Sequence, residues 1–265
     1  MQTSKTQIPR GAAVPVLGIP LAATDYAGAV ALTQSWAEEG GVHAVAAANT
    51  HLVTLARHDR QFGAALAKFD LVLPDGMPLV WAMNRRGAGL RDRVYGPTLM
   101  LHALAQPGAS HFLLGGTGSL LEALSHNLQE RFPGLCIAGS YAPPFGEWSD
   151  TENAGIFERI AASGARYIWV GLGCPKQELW VARHKAQLPP GVYFAIGAAF
   201  AFHAGQVRQA PSWMQKRGLE WLFRLAVEPR RLWKRYVVYN TLFLWYLFTD
   251  ALRQESSPFL ASRNK

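Results

Sequence analysis

The 265-residue chain has little cysteine and little charge. Its two cysteines, Cys136 and Cys174, are too few for a disulfide scaffold in a chain of this length. They form no CxxC pair, and the sequence has no HExxH motif or histidine–cysteine cluster, so we expect no metal site. Charged residues make up only 17% and hydrophobic residues 49% of the chain, which excludes extensive disorder.

Long apolar runs are also absent. A membrane-spanning helix needs about 18 uncharged, apolar residues, whereas the longest candidate, residues 236–249, has 14 and contains Asn240. The N-terminal residues lack the apolar core of a signal peptide. We therefore expect a cytoplasmic protein that does not span the membrane.

The net charge of +8 comes mostly from one C-terminal stretch. Residues 214–235 contain seven basic and two acidic side chains, which supply +5 of that total. Aromatic residues crowd the same region, and Trp and Tyr favour the membrane–water interface. A helix lying on an anionic membrane surface accounts for both features. Nucleic acid would explain the charge but not the apolar run that follows it, so we expect no nucleic-acid partner.

Short apolar runs alternate with stretches in which apolar residues recur every three or four positions. This alternation predicts a Rossmann-like α/β fold, with a mostly parallel sheet and helices on both faces. The predicted strands cover residues 42–48, 71–73, 111–114, 136–139, 167–170 and 192–196. The predicted helices include residues 52–66, 120–132, 154–162 and 176–186.

The strand pattern stops near Pro211. Beyond it the sequence predicts two helices with a boundary at Glu228-Pro229, because proline is favoured in the first turn of a helix. We divide the chain into a flexible tail (1–15), an α/β domain (16–210), a basic, aromatic helical appendage (211–249) and a second tail (250–265).

Ligands of open α/β sheets bind beyond the carboxyl ends of the strands, so the residues that follow each strand are the candidates for a site. After the first strand come Asn49 and Thr50, which could bind a ligand or simply cap the next helix. After the second come Asp75 and Gly76, which form either a plain turn or a carboxylate site. Burial there would raise the pKa of Asp75 and suit it to general-base catalysis.

Two glycine-rich turns follow later strands. Gly115 and Gly116 precede a helix whose backbone N–H groups could bind a phosphate. The turn matches neither GxGxxG nor GxxxxGK[ST], so we expect no dinucleotide cofactor. The turn after the fifth strand is the strongest candidate for binding a pyrophosphate or a sugar. Its candidate residues are Gly171, Gly173, Lys176 and Gln177.

Six sequence blocks occur in the order and spacing of one family. They are ANTHLVTLARHD, FDLVLPDGMPLVWA, RDRVYGPTLM, FLLGGTGS, YIWVGLGCPKQELWVARH and APSWMQKRGLEWLFRLAVEPRRLWKRY. Over about residues 40–245 the chain thus resembles the WecG/TagA/CpsF family of bacterial glycosyltransferases. The resemblance implies an inverting, metal-independent enzyme that moves a sugar from a UDP-sugar to a polyprenyl-pyrophosphate-linked saccharide. The family acts at the inner face of the plasma membrane and builds wall polymers, capsules and exopolysaccharides.

The resemblance also implies roles for individual residues. Asp75, in the PDG block, is the expected general base, and Arg93, in the RVxG block, is an expected catalytic residue. Asn49 and Gln177 match residues that line the family's site. The C-terminal region is expected to close over the site and to bring in arginines for the pyrophosphate groups. The matching positions are Arg224, Arg231 and Arg235.

Two positions depart from the family pattern. Ala47 stands where many members have threonine, and Ala201 stands where many have aspartate. The sequence therefore does not determine which sugar the donor carries. NTH at residues 49–51, in place of NPE, points towards exopolysaccharide-type members. A non-catalytic UDP-binding module and a membrane-peripheral scaffold remain as alternatives, and so does a homo-oligomer that buries the aromatic appendage.

Overall fold

A computed structural model describes residues 12–255, except the side chains of Ser212, Arg231 and residues 253–255. The expected tails lie largely outside these residues. The described strands are β1 (Ala13–Val16), β2 (Ile19–Ala22), β3 (Val42–Ala48), β4 (Leu71–Pro74), β5 (Ser110–Gly115), β6 (Cys136–Tyr141), β7 (Tyr167–Gly171) and β8 (Gly191–Ala195). The described helices are α1 (Tyr26–Glu39), α2 (Thr50–His58), α3 (Arg60–Leu66), α4 (Met77–Arg85), α5 (Gly96–Leu104), α6 (Gly118–Arg131), α7 (Asp150–Ser163), α8 (Lys176–His184), α9 (Ala198–His203), α10 (Ser212–Lys216), α11 (Glu220–Val227) and α12 (Pro229–Glu255).

Six strands form one parallel sheet in the order β4-β3-β8-β7-β5-β6. The central strand β8 is buried along its whole length, which explains its continuous apolar sequence. Strands β1 and β2 form a separate antiparallel hairpin beside β4. The predicted α/β fold with a mostly parallel sheet is confirmed.

Alternate residues of each strand feed two hydrophobic clusters, one on each face of the sheet. Ile168 and Val170 of β7 pack with α2, α3, α4, α7 and α8, whereas Tyr167 and Trp169 pack with α1, α5, α6 and α9. The Trp169 indole N–H donates to the buried His111 ring at 3.2 Å. Burying a large apolar side chain contributes about 3 kcal/mol, so these residues anchor the centre of the sheet.

Polar caps explain where several helices begin. Asp25, Asn49, Thr117 and Ser149 each accept a hydrogen bond from a backbone N–H in the first turn of α1, α2, α6 and α7. Such a cap is worth about 1 kcal/mol. Because α2 and α6 start directly after β3 and β5, Asn49 and Thr117 are also fixed at the carboxyl edge of the sheet.

The structure corrects the boundary of the N-terminal tail. Strand β1 begins at Ala13, inside the tail predicted to end at residue 15. Val14 and Val16 are buried, while the exposed Pro15 pairs with Pro20 across the hairpin. Prolines read as loop residues in a sequence, but an edge hairpin tolerates them because its open side needs no N–H donor.

Two helices also differ from the prediction. Residues 52–66, predicted as one helix, belong to α2 and α3, because Asp59 leaves the helical conformation and its carboxylate caps α3. Helix α12 runs to Glu255 and therefore passes the appendage end predicted at residue 249. The predicted helix boundary at Pro229 is confirmed.

The C-terminal helix α12 is attached to the rest of the chain through α2. Phe243 of α12 is 3% exposed and joins the hydrophobic cluster that contains α2. The Thr50 hydroxyl donates to Asn240 at 3.2 Å, and Arg57 pairs with Asp250 at 3.4 Å. Within residues 12–255, no helix has the length and apolar character that crossing a bilayer requires.

Candidate active site

The loops after the parallel strands surround a cavity of about 370 Å³ at the carboxyl edge of the sheet. Side chains of α11 and α12 form part of its wall. Open α/β sheets bind ligands at this edge, so the cavity is the candidate active site. The predicted site residues that line it are Asn49, Asp75, Gly116, Gly171, Gly173, Lys176, Gln177, Arg224 and Arg235.

Asp75 follows β4 directly and lies partly buried in the cavity wall. Its N–H donates to the Ala48 carbonyl at 2.7 Å, and its Oδ1 accepts from the Gly96 N–H at 3.2 Å. Burial raises the pKa of Asp75 to about 7, although Arg93 opposes this effect; Glu220 reinforces it. A carboxyl group with this pKa can accept a proton near neutral pH, as a general base must.

Arg93 lies behind Asp75, and it is not among the described residues that line the cavity. Its Nη1 donates to the backbone carbonyl of Asp75 at 3.3 Å. Its Nη2 donates to Gln215 Oε1 at 3.1 Å and to the Glu220 carboxylate. The guanidinium also stacks on the Tyr95 ring, 4.2 Å from its centroid. Arg93 is therefore a neighbour of Asp75, and direct contact with a substrate stays a prediction.

Gln177 ties together two loops of the cavity. Its Oε1 accepts hydrogen bonds from the N–H groups of Gly173 and Gly197, both at 3.1 Å, and its Nε2 donates to Glu178 at 2.8 Å. A Cβ atom at Gly197 would lie 2.5 Å from the same Oε1. The amide is thus engaged within the protein, where it fixes the loops after β7 and β8.

Lys176 holds the loop that follows β6. Its ammonium group donates to the Gly146 carbonyl and lies 4.2 Å from the centroid of the Trp148 ring. Phe145 of the same loop lines the cavity and is 97% exposed. The cavity mouth therefore carries a cation beside two aromatic rings.

The two candidates after β3 have different places. Asn49 caps α2 through the Leu52 N–H at 3.1 Å and also lines the cavity, and its ligand-binding role stays a prediction. The hydroxyl of Thr50, by contrast, is bonded to Asn240 of α12. Thr50 thus helps to attach the appendage, and a binding role for it stays a prediction.

Gly76 and Gly115 lie next to the cavity without being among its described lining residues. Gly115 has φ +117°, and a Cβ atom there would lie 2.5 Å from the Gly171 carbonyl oxygen. The close approach of β5 to β7 therefore explains this glycine. The side chain of Arg231 is outside the described part of the chain, so its predicted role has no structural account.

A buried polar cluster in the cavity wall, formed by Glu178, Cys174 and the adjoining His51, was not predicted from the sequence. Glu178 is 1% exposed, and burial raises its pKa to about 6. The His51 Nδ1 lies 3.8 Å from the Cys174 sulfur, and burial lowers the pKa of His51 to about 3. Burial also raises the pKa of the Cys174 thiol, which favours the protonated form. An acidic side chain on the apolar face of α8 was the available signal for this cluster.

Arg224 and Arg235 bring positive charge into the cavity from the appendage. Arg224 lies 5.5 Å from the centroid of the Phe202 ring and close enough to Asp75 to lower the pKa of that carboxyl. Guanidinium groups bind phosphate oxygens through paired, charge-assisted hydrogen bonds. Among residues 12–255, no group of three or more His, Cys, Asp or Glu side chains could hold a metal ion.

The two departures from the family pattern both lie in the cavity wall. Ala47 and Ala201 line it together with Ile196 and Phe202. This wall is apolar where many family members carry a hydroxyl and a carboxylate. It consequently offers van der Waals contact, and no side-chain hydrogen bond, at these positions.

Comparison with known proteins identifies the family of this chain. The model of the glycosyl transferase WecG/TagA/CpsF family matches residues 14–257. Similar proteins include the N-acetylglucosaminyldiphosphoundecaprenol N-acetyl-beta-D-mannosaminyltransferases of Staphylococcus aureus strains NCTC 8325 / PS 47 and COL. Each is 29% identical over 194 residues, which cover 72% of this chain and 73% of the relative. The chain therefore belongs to the WecG/TagA/CpsF family and is a glycosyltransferase.

Proposed function

We propose that this enzyme moves a sugar, with inversion, from a UDP-sugar to a saccharide linked to polyprenyl pyrophosphate. The observation that carries the proposal is one cavity that combines the Asp75 carboxylate with Arg224 and Arg235. The names of the Staphylococcus aureus relatives, which specify a mannosaminyl group and a diphosphoundecaprenol-linked sugar, support it. We infer a role in the synthesis of exopolysaccharide, capsule or wall polymer.

Asp75 acts as the general base in this reaction. It takes the proton of the acceptor hydroxyl while the hydroxyl oxygen forms a bond to the anomeric carbon of the donor. The bond from that carbon to the diphosphate breaks, and UDP leaves with the electron pair on the opposite side, which inverts the anomeric configuration. A positioned base typically contributes about 10²–10⁴-fold to the rate.

The cations of the cavity serve the diphosphate. Negative charge grows on the leaving group in the transition state, and fixed donors aimed at that charge lower the barrier. Arg224, Arg235 and Lys176 all line the cavity and suit this purpose. We expect these side chains to take the place of a metal ion, so that transfer continues in the presence of EDTA.

A lipid-linked acceptor requires the enzyme to work at a membrane surface. The appendage exposes a set of large aromatic side chains, which we call the aromatic face: Trp213, Trp221, Trp233, Trp245 and Phe248. Basic residues near the start of α12 adjoin it. We infer peripheral binding to the inner face of the plasma membrane, with each basic side chain near an anionic surface contributing about 1 kcal/mol.

The transfer reaction can be tested with a panel of donors. UDP release is measured for UDP-linked glucose, N-acetylmannosamine, glucuronic acid and N-acetylglucosamine, with a short-chain polyprenyl-pyrophosphoryl saccharide as acceptor. We expect acceptor-dependent release from one donor, with a loss of at least about 100-fold in Asp75→Asn. Asp59→Asn is the matched control, because Asp59 is exposed and asparagine also caps a helix well.

Two outcomes would contradict the proposal. Release that is unchanged in Asp75→Asn would remove Asp75 from the mechanism. A protein that binds UDP but releases none from any donor, with any acceptor, would favour the non-catalytic alternative.

Membrane binding is tested separately by sedimentation with vesicles of phosphatidylglycerol or phosphatidylcholine. Trp245 and Phe248 are 58% and 57% exposed, so their joint replacement by serine should spare the fold but abolish binding to the anionic vesicles. Leu32→Ser is the control, since Leu32 is an exposed apolar residue on α1. Equal binding of both variants would refute a membrane role for the aromatic face.

A further inference from the structure

Glu220, the first residue of α11, reaches from the appendage to the immediate neighbour of the proposed base. We propose that Glu220 is a positioning residue: it holds the Arg93 guanidinium away from the Asp75 carboxylate and thereby makes the base depend on the docked appendage. This inference rests on the proposed function, because it concerns the proposed base. Its first readout, however, does not require sugar transfer.

The contacts of Arg93 show how the guanidinium is shared. Gln215 and Glu220, both from the appendage, accept hydrogen bonds from its Nη2. On the other side, its Nη1 donates to the backbone carbonyl of Asp75. The Asp75 carboxylate accepts instead from the Gly96 N–H. In the described part of the chain, Arg93 thus forms its ion pair with Glu220 and none with Asp75.

The two carboxylates compete for one buried cation. The side chains of Arg93 and Glu220 are 8% and 10% exposed. If one of the two charges is removed, the other is therefore left buried without a compensating charge. Without the Glu220 charge, the guanidinium is expected to turn to the Asp75 carboxylate. An opposite charge in contact lowers the pKa of a carboxyl group by about 1 to 3 pH units, which would make Asp75 a weaker base.

Other titratable groups do not replace this effect. Those that face Asp75 or Glu220 from the surrounding elements are Tyr26, Arg93, Tyr95, Arg224 and Tyr236. Burial raises the pKa of the three tyrosines, which keeps them neutral near pH 7. Arg224 remains a cation in every variant considered below. Removing the Glu220 charge therefore lowers the pKa of Asp75 in two ways: the repulsion between the two carboxylates is lost, and the Arg93 guanidinium is released towards Asp75.

The turn that carries Glu220 packs tightly on α4. Gly218, two residues earlier, has φ +70°, and a Cβ atom there would lie 2.9 Å from the Trp81 ring and 3.3 Å from Met77. Glu220 can thus reach Arg93 when this turn is seated on α4. When the appendage is docked, Glu220 therefore holds Arg93 away from Asp75, and Arg224 of α11 lines the cavity at the same time.

The pKa of Asp75 can be measured without activity, by ¹³C NMR titration of protein labelled at its aspartate carboxyl carbons. The signal that disappears in Asp75→Asn assigns the resonance. We expect Glu220→Gln to lower the Asp75 pKa by about one pH unit, which is tenfold in proton affinity. Asp250→Asn is the control, because it removes an appendage carboxylate that pairs with Arg57 instead. An Asp75 pKa that stays the same or rises in Glu220→Gln overturns the inference.

The substitution Arg93→Gln should change the pKa of Asp75 in the opposite direction. It removes the cation that opposes protonation, so the pKa of Asp75 should rise. In the absence of Arg93, Glu220→Gln should lower the Asp75 pKa by less than in its presence, because only the loss of the direct repulsion from Glu220 remains. A decrease of equal size in the presence and absence of Arg93 contradicts the competition.

Activity separates this inference from the proposed function. In Glu220→Gln, the acidic limb of the kcat/KM profile should move to lower pH together with the NMR titration. If the NMR pKa moves and the limb does not, Asp75 is not the base, and only the proposed function fails. If neither moves while Asp75→Asn abolishes the limb, only the inference fails.

A second variant covers the case in which Glu220→Gln does not fold. Glu220→Asp keeps the charge on a shorter side chain, which weakens its contact with Arg93. It should lower the Asp75 pKa by a smaller amount in the same direction. A titration identical to that of the wild type would contradict the inference.

Discussion

Asp75→Asn should make the folded protein more stable at alkaline pH while it removes the proposed base. The carboxylate lies in a site where burial raises its pKa to about 7 from an ordinary value of 3.8. Each unit by which the pKa of a group differs between the folded and unfolded states corresponds to about 1.4 kcal/mol of unfolding free energy. The charged form therefore lowers the free energy of unfolding by up to about 4 kcal/mol, and the neutral amide avoids this cost.

Because the pKa of Asp75 is higher in the folded than in the unfolded state, the stability difference between the wild type and Asp75→Asn depends on pH in a defined range. Below about pH 4, Asp75 is protonated in both the folded and the unfolded state, so the carboxyl and the amide should give similar stability. Between about pH 4 and pH 7, the unfolded chain releases the proton and the folded chain retains it. The wild type thus loses stability relative to Asp75→Asn as the pH rises, and the difference levels off above pH 7.

Urea unfolding, followed by the fluorescence of the nine tryptophans, measures this difference at a series of pH values. Asp59→Asn is the matched control, because Asp59 is exposed and its capping bonds to the first turn of α3 can be made by asparagine. It should follow the wild type at every pH. A stability difference between Asp75→Asn and the wild type that does not vary from pH 4 to pH 8 would show that folding does not raise the pKa of Asp75.

Three further substitutions test other parts of the site. Gly197→Ala should displace the Gln177 amide, because the Oε1 of Gln177 would lie 2.5 Å from the new Cβ. The KM for the donor should rise about tenfold. An unchanged KM would argue against a role in donor binding for the bonds from Gln177 to the two loops. Asn49→Ala should lose about 1 kcal/mol in urea unfolding and Asn49→Ser less than half of that, whereas equal losses would deny a capping role. Gly218→Ala combines a positive φ with contact on Trp81, so limited proteolysis should cut near α11 faster than in the wild type, and an unaltered rate would contradict tight docking.

The parallel sheet could be predicted because its strands, apart from the edge strand β6, are largely buried on both faces. Such strands are continuous apolar runs, as in Gly191–Ala195, and the sequence displays them directly. The β1–β2 hairpin was not predicted because Pro15 and Pro20 are residues typical of loops. The break at Asp59 escaped because a single capping residue can interrupt an otherwise uniform helical pattern.

The candidate site could be predicted as far as it depends on strand ends. Asp75, Asn49 and the glycines follow strands directly, so the sheet alone brings them to one edge. Contacts that depend on long-range packing could not be found in this way. The bonds of Arg93 to Glu220 and of Thr50 to Asn240 join segments that are more than a hundred residues apart, and they exist only once the appendage is docked.

We propose that Asp75 activates the hydroxyl of a lipid-linked acceptor for sugar transfer. Mass spectrometry of the acceptor, after incubation with the active UDP-sugar, tests it most directly when UDP binding is measured in parallel. We predict a gain of one sugar residue with the wild type and at least about 100-fold less product with Asp75→Asn, at equal affinity for UDP. Product formed by Asp75→Asn at the wild-type rate would show that Asp75 is not the general base.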